Sequence, residues 1–173
     1  MRSATITLRL AGPDDLALLK FWDTQPHVIA SDPNDNWNWD GELGRALSWR
    51  EQLIAQYRGE PIGFVEIIDP ALEEEHYWGP QPPGQRAMDI WIGEARFLNR
   101  GFGREMMRLA LARCFAVADV WRVLIDPLQS NPRALGFYRR LGFEFVEARR
   151  FGDDDCHVYQ LTRTRYEDEA AKC

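Results

Sequence analysis

Two glycines and two arginines stand together in residues 100–104, directly before a segment with the apolar spacing of a helix. Glycines let a backbone turn tightly and bring its N–H groups close to a phosphate, and a helix N-terminus adds unpaired donors and partial positive charge. Arg100 and Arg104 place two full charges at the same point. The pattern by itself predicts either a binding site for a phosphate or diphosphate group or an ordinary structural turn.

A second group of candidate catalytic and binding residues lies in the pattern N-x-x-A-x-x-x-Y-x-x-x-G-F at residues 131–143. It follows a predicted strand that ends at Asp126, where ligands commonly meet open α/β sheets. Asp126 could accept a proton from an ammonium group, or it could be a turn residue before proline. Tyr138 could act as a general acid, or it could be an ordinary half-buried aromatic residue.

The elements that must position these residues alternate between strands and helices. Period-two patterns and β-branched runs predict strands at residues 5–10, 62–68, 87–92 and 120–125, and a final hairpin formed by 143–146 and 156–161. Helical spacing predicts helices at residues 16–22, 42–57, 103–118 and 132–141. This order predicts a mixed α/β sheet with helices on its faces.

The remaining segments are predicted to be irregular. In the first strand, Ile6, Leu8 and Leu10 are expected to point inward, and residues 27–40 are expected to form a loop. Residues 71–86 form a long excursion that we interpret as a substrate lip, although its Glu73 to Glu75 run is typical of a solvated loop. The charged tail from Thr164 is expected to fray.

Composition narrows the class of protein. A chain of 173 residues suits one domain, which we place at residues 1–164 with a tail at 165–173. A net charge of -6 argues against a nucleic-acid surface and fits a cationic partner. Cys114, Cys156 and Cys173 lack the spacing of a disulfide framework or a zinc site, so we expect no metal. With no signal peptide pattern or membrane-spanning run in the sequence, we expect a cytoplasmic protein.

The two motifs together resemble the two signature regions of the GNAT superfamily of N-acetyltransferases, over roughly residues 61–162. The resemblance implies a mixed sheet splayed between its central strands, acetyl-CoA as co-substrate, and a monomer or homodimer. One departure is Leu98, which stands where the family usually has Gln or Arg. Because the family's loop works mainly through backbone donors, we still expect it to bind the diphosphate of coenzyme A.

The resemblance also implies roles for individual residues. The strand ending at Ile92 would pair with the pantetheine arm and offer backbone N–H groups to the developing oxyanion, Asn131 would contact the pantetheine, and Tyr138 would protonate the departing thiolate. The expected coenzyme A contacts are Ile90, Trp91, Ile92, Arg100, Gly101, Phe102, Gly103, Arg104, Asn131 and Tyr138. The expected catalytic residues are Tyr138 as acid and Asp126 as base or ammonium holder.

Within the superfamily, residues 88–94 and their surroundings are similar to the aminoglycoside 6'-N-acetyltransferases. This likeness implies a cationic amine as acceptor, held by several carboxylates. The expected substrate-binding residues are Asp89, Asp126, Asp154, Glu66 and Trp78. The aromatic residues Trp22, Trp37, Trp39, Tyr77 and Trp78 could form walls for sugar rings or could simply fill the core.

Three other functions fit the same motifs. A related branch acylates hydroxylysine or hydroxyornithine during siderophore assembly, and a further group acetylates peptide or protein amines. A different class is a non-catalytic domain that binds acyl-CoA as a sensor. The presence of both Tyr138 and Asp126 favours an enzyme over a sensor.

Overall fold

The computed structural model describes residues 5–171 of the chain. Its strands are β1 (Ile6–Leu10), β2 (Arg50–Tyr57), β3 (Glu60–Ile68), β4 (Gln85–Ile92), β5 (Arg122–Ile125), β6 (Glu144–Phe151) and β7 (Asp154–Thr162). Its α-helices are α1 (Leu16–Asp23), α2 (Pro26–Ser31), α3 (Trp39–Glu42), α4 (Phe102–Phe115), α5 (Pro132–Arg140) and α6 (Arg163–Ala170). Residues 1–4 and 172–173, and with them Cys173, lie outside the described residues.

The strands form one mixed sheet in the order β1-β2-β3-β4-β5-β7-β6, which confirms the predicted mixed α/β class. The pairs β1 and β2, β5 and β7, and β6 and β7 are antiparallel, whereas β4 and β5 are parallel. By its internal contacts the chain divides into two compact units. The first contains the described residues up to Ile67 with Asp89–Ala112, and the second contains Ile68–Met88 with the described residues from Arg113 onward.

The core of the first unit is built around indole rings. Trp22, Trp39 and Phe64 are buried together with Leu19 and Ile54. The Trp39 ring stacks on Trp37, with ring centres 5.1 Å apart, and lies edge-on to Phe64. Most of the tryptophans that could have formed ligand walls in this unit therefore fill its core.

Three predictions for the first unit are wrong. Residues 42–57 contain the end of α3 and the whole of β2, not a helix. Three consecutive buried apolar residues in β2, Leu53 to Ala55, give a run without the period of a strand. The predicted loop at 27–40 contains most of α2, whose Pro26 suits the first turn of a helix. Leu10, expected to point inward, is exposed at the end of β1.

The second unit packs β5 and β7 over a core of Trp78, Ala87 and Leu124 with Phe151, Cys156 and Val158. The predicted final hairpin is present but longer than expected, because the polar residues of β6 lie on a strand with both faces exposed. The prediction that the tail frays is wrong over the residues of α6. There the Thr162 hydroxyl accepts a hydrogen bond from the Arg165 backbone N–H, and Tyr166 stacks on Phe115.

Three further features concern membranes, cysteines and metals. No helix among residues 5–171 has the length and apolar character needed to cross a membrane. Cys114 and Cys156 are both buried. In the described part of the chain, no cluster of three or more His, Cys, Asp or Glu side chains is arranged to hold a metal ion.

Candidate functional site

The glycine and arginine loop lies in the first unit, between β4 and α4. Asn99 and Gly101 both have positive φ angles, 60° and 82°, on either side of Arg100. A side chain at Gly101 would meet no atom of the described residues within 4 Å, so the loop is open at this point. The first backbone N–H groups of a helix have no partner within the helix, and those of α4 begin immediately after Gly101. The loop therefore has the open backbone geometry that an anion site would require, and the binding of an anion here stays a prediction.

The two arginines of this loop are exposed to solvent. The guanidinium of Arg100 lies over the rings of Phe97 and Phe102, at 5.8 Å and 5.4 Å from their centres. Phe102 also packs against Tyr57, with ring centres 4.7 Å apart. These aromatic contacts anchor the loop from beneath, while the cations remain available to an anion in solvent.

The strand that leads into this loop is half-buried from Asp89 to Ile92. The Trp91 ring lies between Trp22 and Phe64, and its indole N–H is buried without a hydrogen-bond partner among residues 5–171. The Ile92 carbonyl lies 2.8 Å from His27 Nε2, and because a carbonyl can only accept, Nε2 must carry the proton. His27 therefore fixes the end of β4, a role that sequence reasoning missed because it placed His27 in a loop.

Glu66, on β3 of the first unit, is a predicted substrate-binding residue whose pKa is raised by burial. Its Oε2 accepts a hydrogen bond from Gln52 Nε2 at 2.9 Å. Burial raises the pKa of Glu66 to about 7, while the Gln52 hydrogen bond and the charge of Arg50 act in the opposite direction. The negative charges of Asp35 and Glu42 also favour its protonated form. Near neutral pH this carboxyl is therefore close to half protonated.

In the second unit, Asp126 follows β5 directly and is half-buried. The Tyr77 hydroxyl donates a hydrogen bond to Asp126 Oδ2 at 2.6 Å, across 49 positions of sequence. Sequence reasoning considered Tyr77 only as an aromatic wall. No local pattern could have paired it with Asp126, because the contact depends on how the long excursion folds.

Tyr138 and Asn131 both belong to α5. Tyr138 is 9% exposed and makes edge-on contacts with Phe137 and Phe143. Asn131 caps the helix, its Oδ1 accepting the Ala134 backbone N–H at 3.1 Å. The Asn131 side-chain oxygen therefore serves the helix terminus, besides the pantetheine contact that the resemblance implies.

The other two predicted substrate residues differ in exposure. Asp154 is half-buried at the start of β7, opposite Phe151 in the hairpin register. Trp78 is 4% exposed and lies edge-on to Phe151 in the core, so the exposed aromatic ring at this point is Tyr77, at 48%. In the second unit, the hydrogen bond between Tyr77 and Asp126 brings two of the predicted residues together.

The fold is a mixed α/β sheet with helices, and the first unit's loop has the geometry that a phosphate-bearing ligand requires at the N-terminus of a helix. Residues 12–151 match the family model described as "Acetyltransferase (GNAT) domain". The chain belongs to this family of acetyltransferases. The predicted family is thus confirmed, and the protein is an N-acetyltransferase with acetyl-CoA as co-substrate.

Two curated relatives and one solved structure illustrate what the chain is similar to. It is 30% identical to "Aminoglycoside N(6')-acetyltransferase type 1" of Klebsiella pneumoniae, over 81% of this chain and 74% of that protein. It is 28% identical to "Lysine N-acyltransferase MbtK" of Mycolicibacterium paratuberculosis, over 86% of this chain and 67% of that protein. A crystal structure of aminoglycoside acetyltransferase AAC(6')-Ib with coenzyme A and kanamycin superimposes with a TM-score of 0.86 at 26% identity, covering 96% of this chain and 99% of that one.

Proposed function

We propose that this acetyltransferase transfers an acetyl group to the 6'-amine of an aminoglycoside-like, polycationic acceptor. The observation that carries the proposal is the placing of Asp126 at the end of β5, half-buried and hydrogen-bonded by a neutral phenol. A phenol leaves the carboxylate's negative charge in place, so Asp126 can hold an ammonium group. The similarity to aminoglycoside acetyltransferases supports the same choice of acceptor.

The first unit contributes the coenzyme A part of the proposed function. The residues present fit a diphosphate, because the loop is open at Gly101, carries two exposed arginines and precedes the N-terminus of α4. Acetyl-CoA supplies the activated acetyl group. On this proposal Arg100 and Arg104 hold the diphosphate, and Ile90 to Ile92 offer backbone groups to the pantetheine arm.

The second unit contributes the proton transfers. Asp126 takes a proton from the acceptor ammonium, which must become neutral before its nitrogen can attack a carbonyl carbon. Tyr138 gives a proton to the sulfur that leaves. The burial of Tyr138 suits this role, because a phenol is a more effective acid toward a charge that develops out of water.

The acceptor itself is held by carboxylates. Asp89, Asp126, Asp154 and Glu66 are all half-buried, which strengthens their attraction to ammonium groups relative to exposed carboxylates. Glu66, close to half protonated near neutral pH, would lose its proton as a cation approaches. Trp78 is left out of this set because its ring is in the core.

The experiment that tests the proposal measures release of the coenzyme A thiol from acetyl-CoA with a panel of amines. The decisive pair consists of two aminoglycosides that are identical except for an amine or a hydroxyl at the 6' position. We expect turnover with the 6'-amine and none with the 6'-hydroxyl. Equal turnover with both would place acetylation at another amine and contradict the proposed position.

A second candidate acceptor is lysine or a hydroxylated derivative, and the similarity to a lysine N-acyltransferase favours it. The panel therefore includes lysine, hydroxylysine and hydroxyornithine, together with polyamines and short peptides. Turnover confined to the amino acids would replace the aminoglycoside proposal with this one. On either proposal we place the enzyme in the cytoplasm as one acetyltransferase domain, a monomer or homodimer, which fractionation and light scattering would test.

A further inference from the structure

The excursion between β3 and β4, residues 69–84, has no regular strand or helix and yet is fixed by polar contacts. It begins at Asp69, whose Oδ1 accepts the Ala71 backbone N–H and whose Oδ2 pairs with Arg86 at 3.1 Å. The Asp69 carbonyl also accepts the backbone N–H groups of Leu72 and Glu73. We call residues 69–84 the arm.

A buried carboxylate braces the middle of the arm. Glu73 is 7% exposed, and its two oxygens accept the backbone N–H groups of Glu75, at 2.6 Å, and Tyr77, at 2.7 Å. Between those two residues, His76 has a positive φ of 53°, which is uncommon for a residue with a side chain. Burying a carboxylate is costly unless its oxygens are satisfied, so this arrangement holds the arm in one conformation. The expectation that the acidic run is only a solvated loop is wrong for Glu73.

Tyr77 lies at the end of the segment that Glu73 stabilises. One face of the Tyr77 ring stacks on Phe151, with centres 4.5 Å apart and planes 7° apart. Next to it in sequence, Trp78 is buried and lies edge-on to the same phenylalanine. The ring direction of Tyr77 is thus set by packing, and its hydroxyl reaches Asp126 Oδ2.

We infer that the arm is a positioning device for Asp126, in which Glu73 braces the backbone and Tyr77 holds the carboxylate in the direction from which it meets the acceptor. The inference rests on the proposed function, in which Asp126 receives the acceptor ammonium. A hydrogen bond to one carboxylate oxygen restricts rotation of the group, and a group already oriented loses less entropy when the acceptor binds. Tyr77 is a positioning residue, because it acts through Asp126.

The first test is Tyr77→Phe, which removes one hydroxyl and keeps the ring that stacks on Phe151. We expect kcat/KM for the acceptor to fall by about tenfold, the size expected for one hydrogen bond to a charged group. The KM for acetyl-CoA should change by less than about twofold, which separates positioning from loss of fold. Tyr166→Phe is the matched control, because Tyr166 stacks on Phe115 in α6 and belongs to no proposed site.

The second test asks whether Tyr77 acts through Asp126. In an Asp126→Asn background, Tyr77→Phe should cause little further loss, because the group that it positions no longer carries a charge. If the two changes multiply fully, Tyr77 acts independently of Asp126 and the inference is overturned. Glu73→Gln should reproduce part of the Tyr77→Phe loss, again without raising the KM for acetyl-CoA.

Amide hydrogen exchange tests the arm even if no acceptor in the panel is turned over. Tyr77→Phe and Asp126→Ala should each speed exchange at the backbone amides of residues 75–77, because each removes the hydrogen bond that ties the arm to Asp126, the residue after β5. Unchanged exchange in both variants would overturn the inference. Absence of turnover in the wild-type protein, with exchange altered as expected, would contradict the proposed function alone.

Discussion

The loop before α4 in the first unit owes its form to the backbone, with Asn99 and Gly101 at positive φ and its arginines exposed to solvent. The arm of the second unit owes its form to side chains, through the carboxylate of Glu73 and the bond from Tyr77 to Asp126. We therefore expect different kinds of substitution to disrupt the two regions. The loop should keep its conformation when single side chains change and lose it when the backbone geometry changes, whereas the arm should lose its function when single polar atoms are removed.

The largest expected effect lies in the second unit, at Tyr138. Tyr138→Phe should lower kcat by about a hundredfold, because a general acid contributes roughly 10²- to 10⁴-fold. Its dissociation constant for coenzyme A should stay within about twofold of wild type, because the proposed anion site is in the other unit. Thiol release and calorimetric titration with coenzyme A measure the two quantities, and unchanged turnover would remove Tyr138 from the mechanism.

A substitution at Gly101 tests whether the backbone conformation of the loop before α4 determines how tightly acetyl-CoA binds. An alanine at a φ of 82° is strained by about 1–2 kcal/mol, and an exposed loop can relieve that strain by leaving its conformation. Acetyl-CoA binding must then restore the conformation, so Gly101→Ala should weaken acetyl-CoA by about 5- to 30-fold.

Gly59 offers a matched control for this prediction. It has nearly the same φ, 83°, lies in the turn between β2 and β3, and is equally open, with no atom within 4 Å of an added side-chain carbon. Gly59→Ala should destabilise the fold to a similar extent and leave the KM for acetyl-CoA unchanged. An equal loss of acetyl-CoA affinity in both variants would show that the effect comes from stability and not from the loop.

The same contrast explains what could be predicted from the sequence. The anion loop and the α5 motif are local, so residue types at fixed spacing were enough to find Arg100, Gly101 and Tyr138. The partners of Asp126 and Glu66 could not be found in this way. Tyr77 is 49 positions from Asp126, and Gln52 is on a different strand from Glu66.

Errors in the predicted elements have a related physical cause. The Leu53 to Ala55 run in β2 is buried throughout, and such a run has no period that separates a strand from a buried helix. In β6 the reverse holds, since a strand exposed on both faces carries polar residues that do not look like a strand. In both strands the position within the sheet determines which residues are buried, and this position is known only from the folded structure.

Charge reversal at Asp89 tests whether carboxylates select the acceptor. Asp89→Lys should lower kcat/KM for a polycationic acceptor by about tenfold, through loss of one attraction and gain of one repulsion at a half-buried site. The KM for acetyl-CoA should change much less. Asp14→Lys, the same change at an exposed position before α1, controls for net charge. Equal effects of Asp89→Lys on both substrates would contradict the acceptor site.

The smallest expected effect is at Glu66. This residue is in the first unit, like the loop before α4, but its predicted role depends on a side chain and not on backbone conformation. Its pKa of about 7 in the folded chain lies above the ordinary value near 4.5, so the folded chain holds this proton more tightly than the unfolded chain. Stability from this group is therefore fully present below about pH 4.5 and is lost as the pH rises through about 7. The full shift would correspond to about 3 kcal/mol, and partial exposure of the side chain reduces our expectation to about 1 kcal/mol.

Glu66→Gln removes the titrating proton while keeping a polar group beside Gln52. Relative to wild type, this variant should gain about 1 kcal/mol of unfolding free energy between about pH 5 and about pH 8, measured by urea denaturation. Glu147→Gln, the same substitution at an exposed position of the edge strand β6, is the matched control. If the gain from Glu66→Gln does not depend on pH, then burial does not hold the proton on Glu66. The side chain would then be charged at neutral pH and would attract the acceptor at full strength.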